Sequence, residues 1–234
     1  MKMKDKKAEQ TAAKQKHKEE LKSKRRAAPD FKRPEPSLAE KPTILIVCEG
    51  KNTEPSYFEK FRLSSATIKT VGIGCNTASL VKRAKEIYDQ RTFDQVWCVF
   101  DKDDFSHADF NNAIEIAKTN NFEVAYSNQS FEYWIILHFD DHQGGGMHRD
   151  RYNGKINDLL KPYRLTYDGL NKKIITEEIF ERLDGIDEKT QQKRIQLAIN
   201  RAERNYNKLD HKNPASEESS TTVFRLVKEL LKYL

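Results

Sequence analysis

Four short apolar segments alternate with amphipathic segments between residues 43 and 126, and this alternation restricts the fold more than any other feature. The first, Thr43 to Cys48, is a continuous apolar run rich in β-branched residues, which predicts a strand buried on both faces. The other three strands are predicted at residues 68–73, 96–100 and 122–126. Helical spacing of apolar residues separates them, so the order βαβαβαβ predicts an α/β fold: a mostly parallel sheet with helices on both faces.

The rest of the chain has only helical patterns. Phe131, Trp134 and His138 fall on one helical face, and further helical segments are predicted near residues 156–160, 176–183, 190–209 and 221–234. These helices are short and polar, so we expect them to pack on the sheet instead of forming a separate core. The predicted organisation is an α/β domain over residues 41–140, followed by a helical C-terminal part over residues 141–234.

The basic excess of the chain lies in its first 40 residues. They hold 13 of the 42 basic and 7 of the 36 acidic residues, so the remainder carries 29 of each and is neutral. The segment from Lys2 to Arg26 has almost no large apolar residue, which predicts a disordered or transiently helical arm, and four of seven prolines then mark a linker between Pro29 and Pro42. The arm could bind nucleic-acid phosphates or act as a solvating tail.

Hydropathy argues against a membrane protein. The apolar run from Tyr133 to Phe139 is far shorter than the roughly 20 residues that a spanning helix needs. The charged start of the chain is not followed by an apolar segment, so no secretory signal is predicted and a cytoplasmic location is expected.

Acidic residues follow two of the predicted strands. Glu49 comes directly after the first strand, and Asp101 and Asp103 come directly after the third. Ligands of open parallel sheets bind at the carboxyl ends of the strands, so these acids can meet if the two strands are neighbours. Asp101 and Asp103 face the same way in an extended backbone, and such a pair favours Mg²⁺ or Mn²⁺. The alternative is a set of surface acids in a turn.

Four segments of the chain carry recognisable motifs in a fixed order. Residues 48–54 read C-E-G-x-x-T-E, and residues 100–104 read F-D-x-D-D. Residues 127–139 read S-N-x-x-F-E-x-W-x-x-L-H-F, and Asn213-Pro214 is followed by Ser220–Val223. In this order the four segments resemble the RloB-like protein family, whose closing element is N-P-S-T-x-V, although Ala215 to Ser219 intervene here. The resemblance covers residues 43–234.

The resemblance implies a TOPRIM-like fold and phosphodiester chemistry. It implies that Asp101 and Asp103 hold Mg²⁺ (or Mn²⁺), while Glu49 acts as general acid/base or completes the metal shell. Family members are found in phage-defence and restriction loci, typically with an ATPase partner, and are presumed nucleases. The expected function is therefore a Mg²⁺-dependent nuclease of DNA or RNA in anti-phage defence, gated by an ATPase partner.

Further residues are candidates for supporting roles. Glu54 is either an additional metal ligand or a carboxylate that stabilises a helix N-terminus. Asp104 would turn away from the Asp101–Asp103 face unless its loop curls, and only the family motif draws attention to Asn128 and Glu132. The candidates for binding nucleic acid are Lys51 and Lys102, although Lys51 could equally be solvated.

Two other functions are compatible with the same residues. The domain could be a non-catalytic protein of a defence or restriction locus that binds nucleic acid or senses a phage protein. It could also be an enzyme that transfers phosphate between nucleotides, because the acids specify only phosphate chemistry. Loss of activity on removal of Asp101 would distinguish a nuclease from a binding protein.

Overall fold

The computed structural model of the chain describes residues 11–22, 41–74, 77–103, 106–143 and 146–234. The chain divides into two units, Met1–Glu40 and Lys41–Leu234. Within the first unit, residues 11–22 form a helix (α1) with exposed side chains, where the sequence predicted disorder or transient helix. Ala, Gln, Lys and Glu are strong helix formers, which accounts for this helix without a buried core. The other residues of the predicted arm and linker, 1–10 and 23–40, lie outside the described residues.

The second unit contains a four-stranded sheet in which every neighbouring pair is parallel. Its strands are β1 (Thr43–Cys48), β2 (Thr67–Gly72), β3 (Gln95–Lys102) and β4 (Glu123–Asn128). They lie in the order β2-β1-β3-β4. The predicted parallel α/β fold is therefore confirmed, and β1 and β3, which carry the candidate acids, are direct neighbours.

Helices connect the strands and fill the C-terminal half. Three of them link successive strands: α2 (Thr53–Phe58), α3 (Thr77–Gln90) and α4 (His107–Thr119). The helices that follow β4 are α5 (Glu132–Phe139), α6 (Tyr152–Leu160), α7 (Glu177–Asp184), α8 (Arg194–Tyr206) and α9 (Val223–Leu231).

Both faces of the sheet are buried, and successive residues of β1 point into different cores. Leu45 and Val47 pack in one cluster with residues of α3 and α4. Ile44 and Ile46 pack in the other, larger cluster with α2 and α5 to α9. Side chains of a strand alternate between faces, so a sheet covered on both sides needs apolar residues at every position. This explains the uninterrupted apolar run from Thr43 to Cys48.

A short segment after α8 covers the outer edge of β4. Thr221 forms an antiparallel bridge with Ser127, and the backbone N–H of Asn128 donates to the carbonyl of Ser220 at 2.8 Å. The Thr222 N–H donates to the carbonyl of Tyr126 at 2.7 Å. These contacts occupy backbone groups that an open sheet edge would leave unpaired. We call residues Ser220–Thr222 the edge segment.

In the part of the chain that the structure describes, no helix has the length and hydropathy of a membrane-spanning helix.

Candidate functional site

A cavity of ≈ 470 Å³ lies at the carboxyl ends of β1 and β3. Its walls come from the loop after β1, the end of β3, the start of α5 and two loops of the C-terminal half. Acidic and basic side chains line it together: Glu49, Lys51, Glu54, Asp101, Asp103, Glu132, Arg149 and Lys173. This is the edge of the sheet at which parallel α/β proteins bind their ligands.

Glu49 is the first residue after β1, and its carboxylate is held against the end of β3. The Asp101 N–H donates to Glu49 Oε2 at 3.1 Å, and the Thr77 hydroxyl donates to Oε1 at 3.5 Å. Because β1 ends at Cys48 while β3 continues, the side chain of Glu49 takes the Asp101 N–H that faces β1. Burial, with the nearby charges of Asp103 and Glu54, raises the pKa of Glu49 to about 7. This carboxyl group can therefore exchange a proton near neutral pH.

The sequence predicted that Asp101 follows β3. In the structure Asp101 lies within this strand, because β3 continues to Lys102. Its backbone pairs with Ser127 of β4, so the sheet fixes the backbone from which the side chain extends. Burial raises the pKa of Asp101 well above its usual value, and the carboxylates of Glu54 and Glu132 raise it further. Asp101 thus lies close enough to Glu49, Glu54 and Glu132 to be affected by their charges.

Asp103 and Lys102 differ in their surroundings. Asp103 lines the cavity and lies 3.5 Å from the guanidinium of Arg149, measured from Oδ2 to Nη1. Lys102 is buried, and its ammonium group donates to the carbonyl of Asp103 at 2.6 Å. The structure therefore places Lys102 beneath the Asp103 loop, where it supports the backbone, instead of presenting its charge to a nucleic acid.

Glu54 is buried beside Gly50, although it belongs to the first turn of α2. The Gly50 N–H donates to Glu54 Oε1 at 3.3 Å, and a Cβ at Gly50 would lie only 2.2 Å from Oε2. Glycine at position 50 is thus what allows the Glu54 carboxylate to approach the backbone. Burial, with the charge of Glu132, raises the pKa of Glu54 to about 7. Its carboxylate lines the cavity, as the metal-ligand alternative requires.

Glu132 begins α5 and connects the acidic cluster to the C-terminal half. Ser130 donates its hydroxyl to Glu132 Oε2 at 2.7 Å, and Tyr167 donates to Oε1 at 2.9 Å. The Tyr167 oxygen also lies 3.0 Å from the hydroxyl of Thr53. Tyr167 is buried, so this chain of hydrogen bonds fixes Glu132 relative to α2.

Of the remaining predicted residues, Lys51 lines the cavity and Asn128 does not. Lys51 is exposed at the cavity rim, and its stem packs against Gly74, where a Cβ would lie 2.2 Å from Lys51 Cε. Asn128 is absent from the described cavity lining; its amide donates to the carbonyls of Pro214 and Ala215, at 3.2 and 3.4 Å. Asn128 therefore joins two of the family-like segments outside the cavity. Asp104 lies outside the described residues.

The sequence did not point to three residues of the cavity region: Arg149, Tyr167 and Lys173. Arg149 begins a short 3-10 helix, Arg149–Arg151, while Tyr167 and Lys173 lie outside helices and strands, and all three are far from Glu49 and Asp101 in sequence. A turn could have been predicted from Asp168-Gly169, but no local pattern indicates that this turn lies above the end of the sheet. Only the tertiary fold brings these residues to the acids.

The donor atoms of the cavity suit a hard divalent cation, because five carboxyl groups converge on one space. Mg²⁺ or Mn²⁺ would offset their mutual repulsion. Within the described residues, however, no group of three His, Cys, Asp or Glu side chains is arranged so that it could hold a metal ion. The donor chemistry therefore fits the cation, while a complete ligand set would need rearranged side chains or ligands from water and substrate.

Comparison with known proteins gives one match. The family model described as RloB-like protein matches residues 44–230, which is most of the chain and includes every cavity residue discussed above. Neither the curated proteins nor the solved structures that were compared give a match.

Proposed function

This chain belongs to the RloB-like protein family, and from that premise and the geometry of the cavity we propose that it is a Mg²⁺- or Mn²⁺-dependent nuclease. The single observation that carries the proposal is the convergence of Glu49, Asp101 and Asp103 at neighbouring strand ends, in a cavity that basic side chains also line. Cleavage of a phosphodiester needs both kinds of side chain. Carboxylates bind the metal cation and transfer protons, and basic side chains offset the negative charge of the phosphate.

The residues that would hold the metal are Asp101 and Asp103, with Glu49 beside them. When bound, a divalent cation would supply neutralisation of phosphate charge and orientation of an attacking water. Asp101 is suited to this role because the sheet fixes its backbone on both sides, through β4 and through Glu49. Asp103 is on the loop and can adjust its position more easily.

Glu49 is the residue that supports proton transfer. A general base works best when its pKa is close to the operating pH, and the pKa of Glu49 is about 7. The hydrogen bond from the Asp101 N–H orients Oε2, while Thr77 contacts Oε1. The protein therefore holds a proton-accepting oxygen at a defined position beside the proposed metal ligands.

The proposal also covers the biological setting. Action in anti-phage defence, with gating by an ATPase partner, is what membership of the family suggests, and the family match is its only support. The charge of the first 40 residues is compatible with an arm that binds nucleic acid.

The test is cleavage of a mixed panel of plasmid, single-stranded DNA and total tRNA in the presence of Mn²⁺. We expect Glu49→Gln to reduce the rate by about 10²–10⁴-fold, the usual contribution of a general acid or base. Asp103→Ala should also abolish cleavage, whereas the exposed Asp158→Ala on α6 serves as a matched control and should cleave normally. Equal activity of all four proteins would exclude these acids from the chemistry.

One observation favours a second candidate, a non-catalytic protein that binds nucleic acid or senses a phage protein: the described residues contain no ready three-residue metal set. In that case the wild-type protein would bind one member of the panel without cleaving it, with or without Mn²⁺. Binding would then be unchanged in Glu49→Gln.

A further inference from the structure

Basic side chains from the C-terminal half face the carboxylates across the cavity. Arg149 and Lys173 line it, and both also line an adjoining cavity of ≈ 160 Å³. The lining of this second cavity includes Ser130 and Asn153, together with the acids Glu132 and Asp150. The two basic residues therefore lie between the acidic cluster and a second, smaller space.

The backbone of Arg149 is held by a hydrogen bond to Gln129, a residue with an unusual backbone conformation. Its N–H donates to Gln129 Oε1 at 3.3 Å, and Gln129 has φ 81°, in the left-handed region that favours glycine. Such strain persists where the surrounding structure enforces it, often at functional sites. The guanidinium lies 3.5 Å from Asp103 through one nitrogen. A guanidinium has five N–H donors, so it can contact Asp103 and a phosphate oxygen together.

Lys173 ends a tight turn that begins at Asp168. The Asp168 carboxylate accepts the N–H groups of Asn171 and Lys172 at 3.0 and 3.3 Å, and its carbonyl accepts the Lys173 N–H at 2.8 Å. Lys173 has φ 52°, again left-handed. Lys173 is partly buried and lines the cavity beside the carboxylates, where its positive charge acts against the rise in the pKa of Glu54.

The turn itself is anchored to the site. Asn157 of α6 makes two hydrogen bonds with the backbone of Tyr167. Its amide nitrogen donates to the Tyr167 carbonyl at 3.0 Å, and its Oδ1 accepts the Tyr167 N–H at 2.8 Å. Tyr167 in turn donates to Glu132. The position of Lys173 is thus fixed relative to the acidic cluster, as a binding group requires.

We infer that Arg149 and Lys173 form a phosphate subsite, which binds the phosphodiester adjacent to the one at Glu49, Asp101 and Asp103 in a nucleic-acid strand. This inference rests on the proposed function for its substrate. An acidic cavity alone would repel a nucleic-acid backbone, and cations at its boundary provide the attraction. Arg149 supplies planar paired donors for two phosphate oxygens, while Lys173 supplies a point charge. Contacts to a neighbouring phosphate fix the register of the strand over the acids.

The test measures binding separately from cleavage. Fluorescence anisotropy is recorded for labelled single-stranded DNA and RNA 12-mers with full-length protein, in EDTA and in Ca²⁺, an oxygen-binding cation of the same charge as Mg²⁺. Arg149→Gln and Lys173→Gln should each raise Kd about 10-fold, the size expected for one charge-assisted hydrogen bond. Each should also reduce the slope of log Kd against log salt by about 0.7.

The controls are neighbours in the same two loops. Arg151→Gln and Lys172→Gln remove the same charges from exposed residues that line neither cavity among the described residues, so Kd should change by less than about 2-fold. Arg149→Lys should recover only part of the affinity, because it keeps the charge and loses the paired donors. Melting temperatures confirm that each variant is folded.

The outcomes separate this inference from the proposed nuclease activity. If Arg149→Gln and Lys173→Gln weaken binding selectively but the wild type cleaves nothing, the subsite stands and a nuclease that acts without its partner is excluded. If the wild type cleaves while Kd and KM are the same in all variants, the subsite is wrong. Equal weakening by all four Gln variants would also overturn it, since that result indicates general surface charge. Absence of any binding to either 12-mer would do so as well.

Discussion

The acidic cavity and the edge segment both correspond to segments that resemble the RloB-like family, yet they bury polar groups in opposite ways. In the cavity, burial raises the pKa of Glu54 and of Asp101, and the nearby charge of Glu132 raises both further. In the edge segment, the Thr222 hydroxyl accepts the Tyr126 N–H at 2.8 Å, and the Thr221 hydroxyl donates to the Tyr126 carbonyl at 3.0 Å.

This difference is what we expect if the edge segment serves the fold and the cavity serves the proposed function. Hydrogen-bonded hydroxyls at a sheet edge satisfy backbone groups, so they stabilise the native state. Carboxylates buried close together destabilise it, because each disfavours the charge of the others. Such clusters are concentrated at functional sites, which agrees with the proposed role of the cavity. Mutations in the two regions should therefore change stability with opposite sign.

The largest expected effect is the contribution of Glu54 to the pH dependence of stability. Its pKa is about 7 in the folded protein, against 4.5 as its ordinary value, so the folded state binds more protons between these values. The contribution of Glu54 to stability is therefore fully present below pH 4.5 and is lost as pH rises through about 7, by on the order of 3 kcal/mol. Chemical denaturation in EDTA at pH 5 and pH 8 should show that Glu54→Gln reduces this loss and raises stability at pH 8.

Glu188→Gln is the control for this experiment, because Glu188 is exposed. It should leave the difference between pH 5 and pH 8 unchanged. If Glu54→Gln instead destabilises the protein at pH 8, the carboxylate contributes to folding, and the contrast between the two regions does not hold.

The edge segment should respond to mutation with the opposite sign. Thr222→Val keeps the shape of the side chain but removes the acceptor of the Tyr126 N–H, which would be left buried without its partner. The expected loss of stability is about 1–3 kcal/mol. It is measured by urea denaturation.

Thr119→Val, at an exposed position of α4, is the matched control and should change stability by less than about 0.5 kcal/mol. Nuclease activity below the melting transition should be unaffected in both variants. A stable Thr222→Val protein with impaired cleavage would show that the edge segment belongs to the functional region after all.

The smallest expected effect tests the link between the C-terminal half and the acidic cavity. Tyr167→Phe removes the hydroxyl that joins Glu132 to Thr53, at a cost in stability of about 1 kcal/mol. Since Glu132 would lose its orientation, kcat should fall about 10-fold with little change in KM, as for other groups that orient site residues.

Tyr163→Phe separates the positional effect from a general loss of stability. The hydroxyl of Tyr163 lies 2.7 Å from Nη2 of Arg194, away from the cavity, so this variant should lose stability and keep its kcat. Equal kcat values for both variants would indicate that Tyr167 is structural only.

Local sequence patterns were most informative where burial is complete. β1 was predicted with the same bounds that the structure has, because a strand between two covered faces must be apolar throughout. β3 was predicted to end at Phe100 but continues to Lys102, since its last residues are polar and line or underlie the cavity. The end of β3 could therefore not be recognised from apolar residues, because the site places polar residues there.

The site residues also divide into those that local sequence patterns identify and those that they do not. Glu49, Asp101 and Asp103 could be identified because each lies next to a strand whose burial is visible in the sequence. Arg149, Tyr167 and Lys173 could not, since their approach to the acids depends on how α6 and the turn after Tyr167 pack over the sheet. Lys102 and Asn128 are the last residues of β3 and β4, and neither belongs to the described cavity lining, because side chains alternate along a strand and these two are paired one position after Asp101 and Ser127.

The sequence by itself determined the α/β class, the parallel strands and the acids at the strand ends, because the period of apolar residues reports burial directly. The tertiary structure decided the strand order, the pairing of β1 with β3 and the basic side of the cavity. These features depend on contacts between residues far apart in the chain, such as the 52 positions between Glu49 and Asp101, and no local period encodes such contacts.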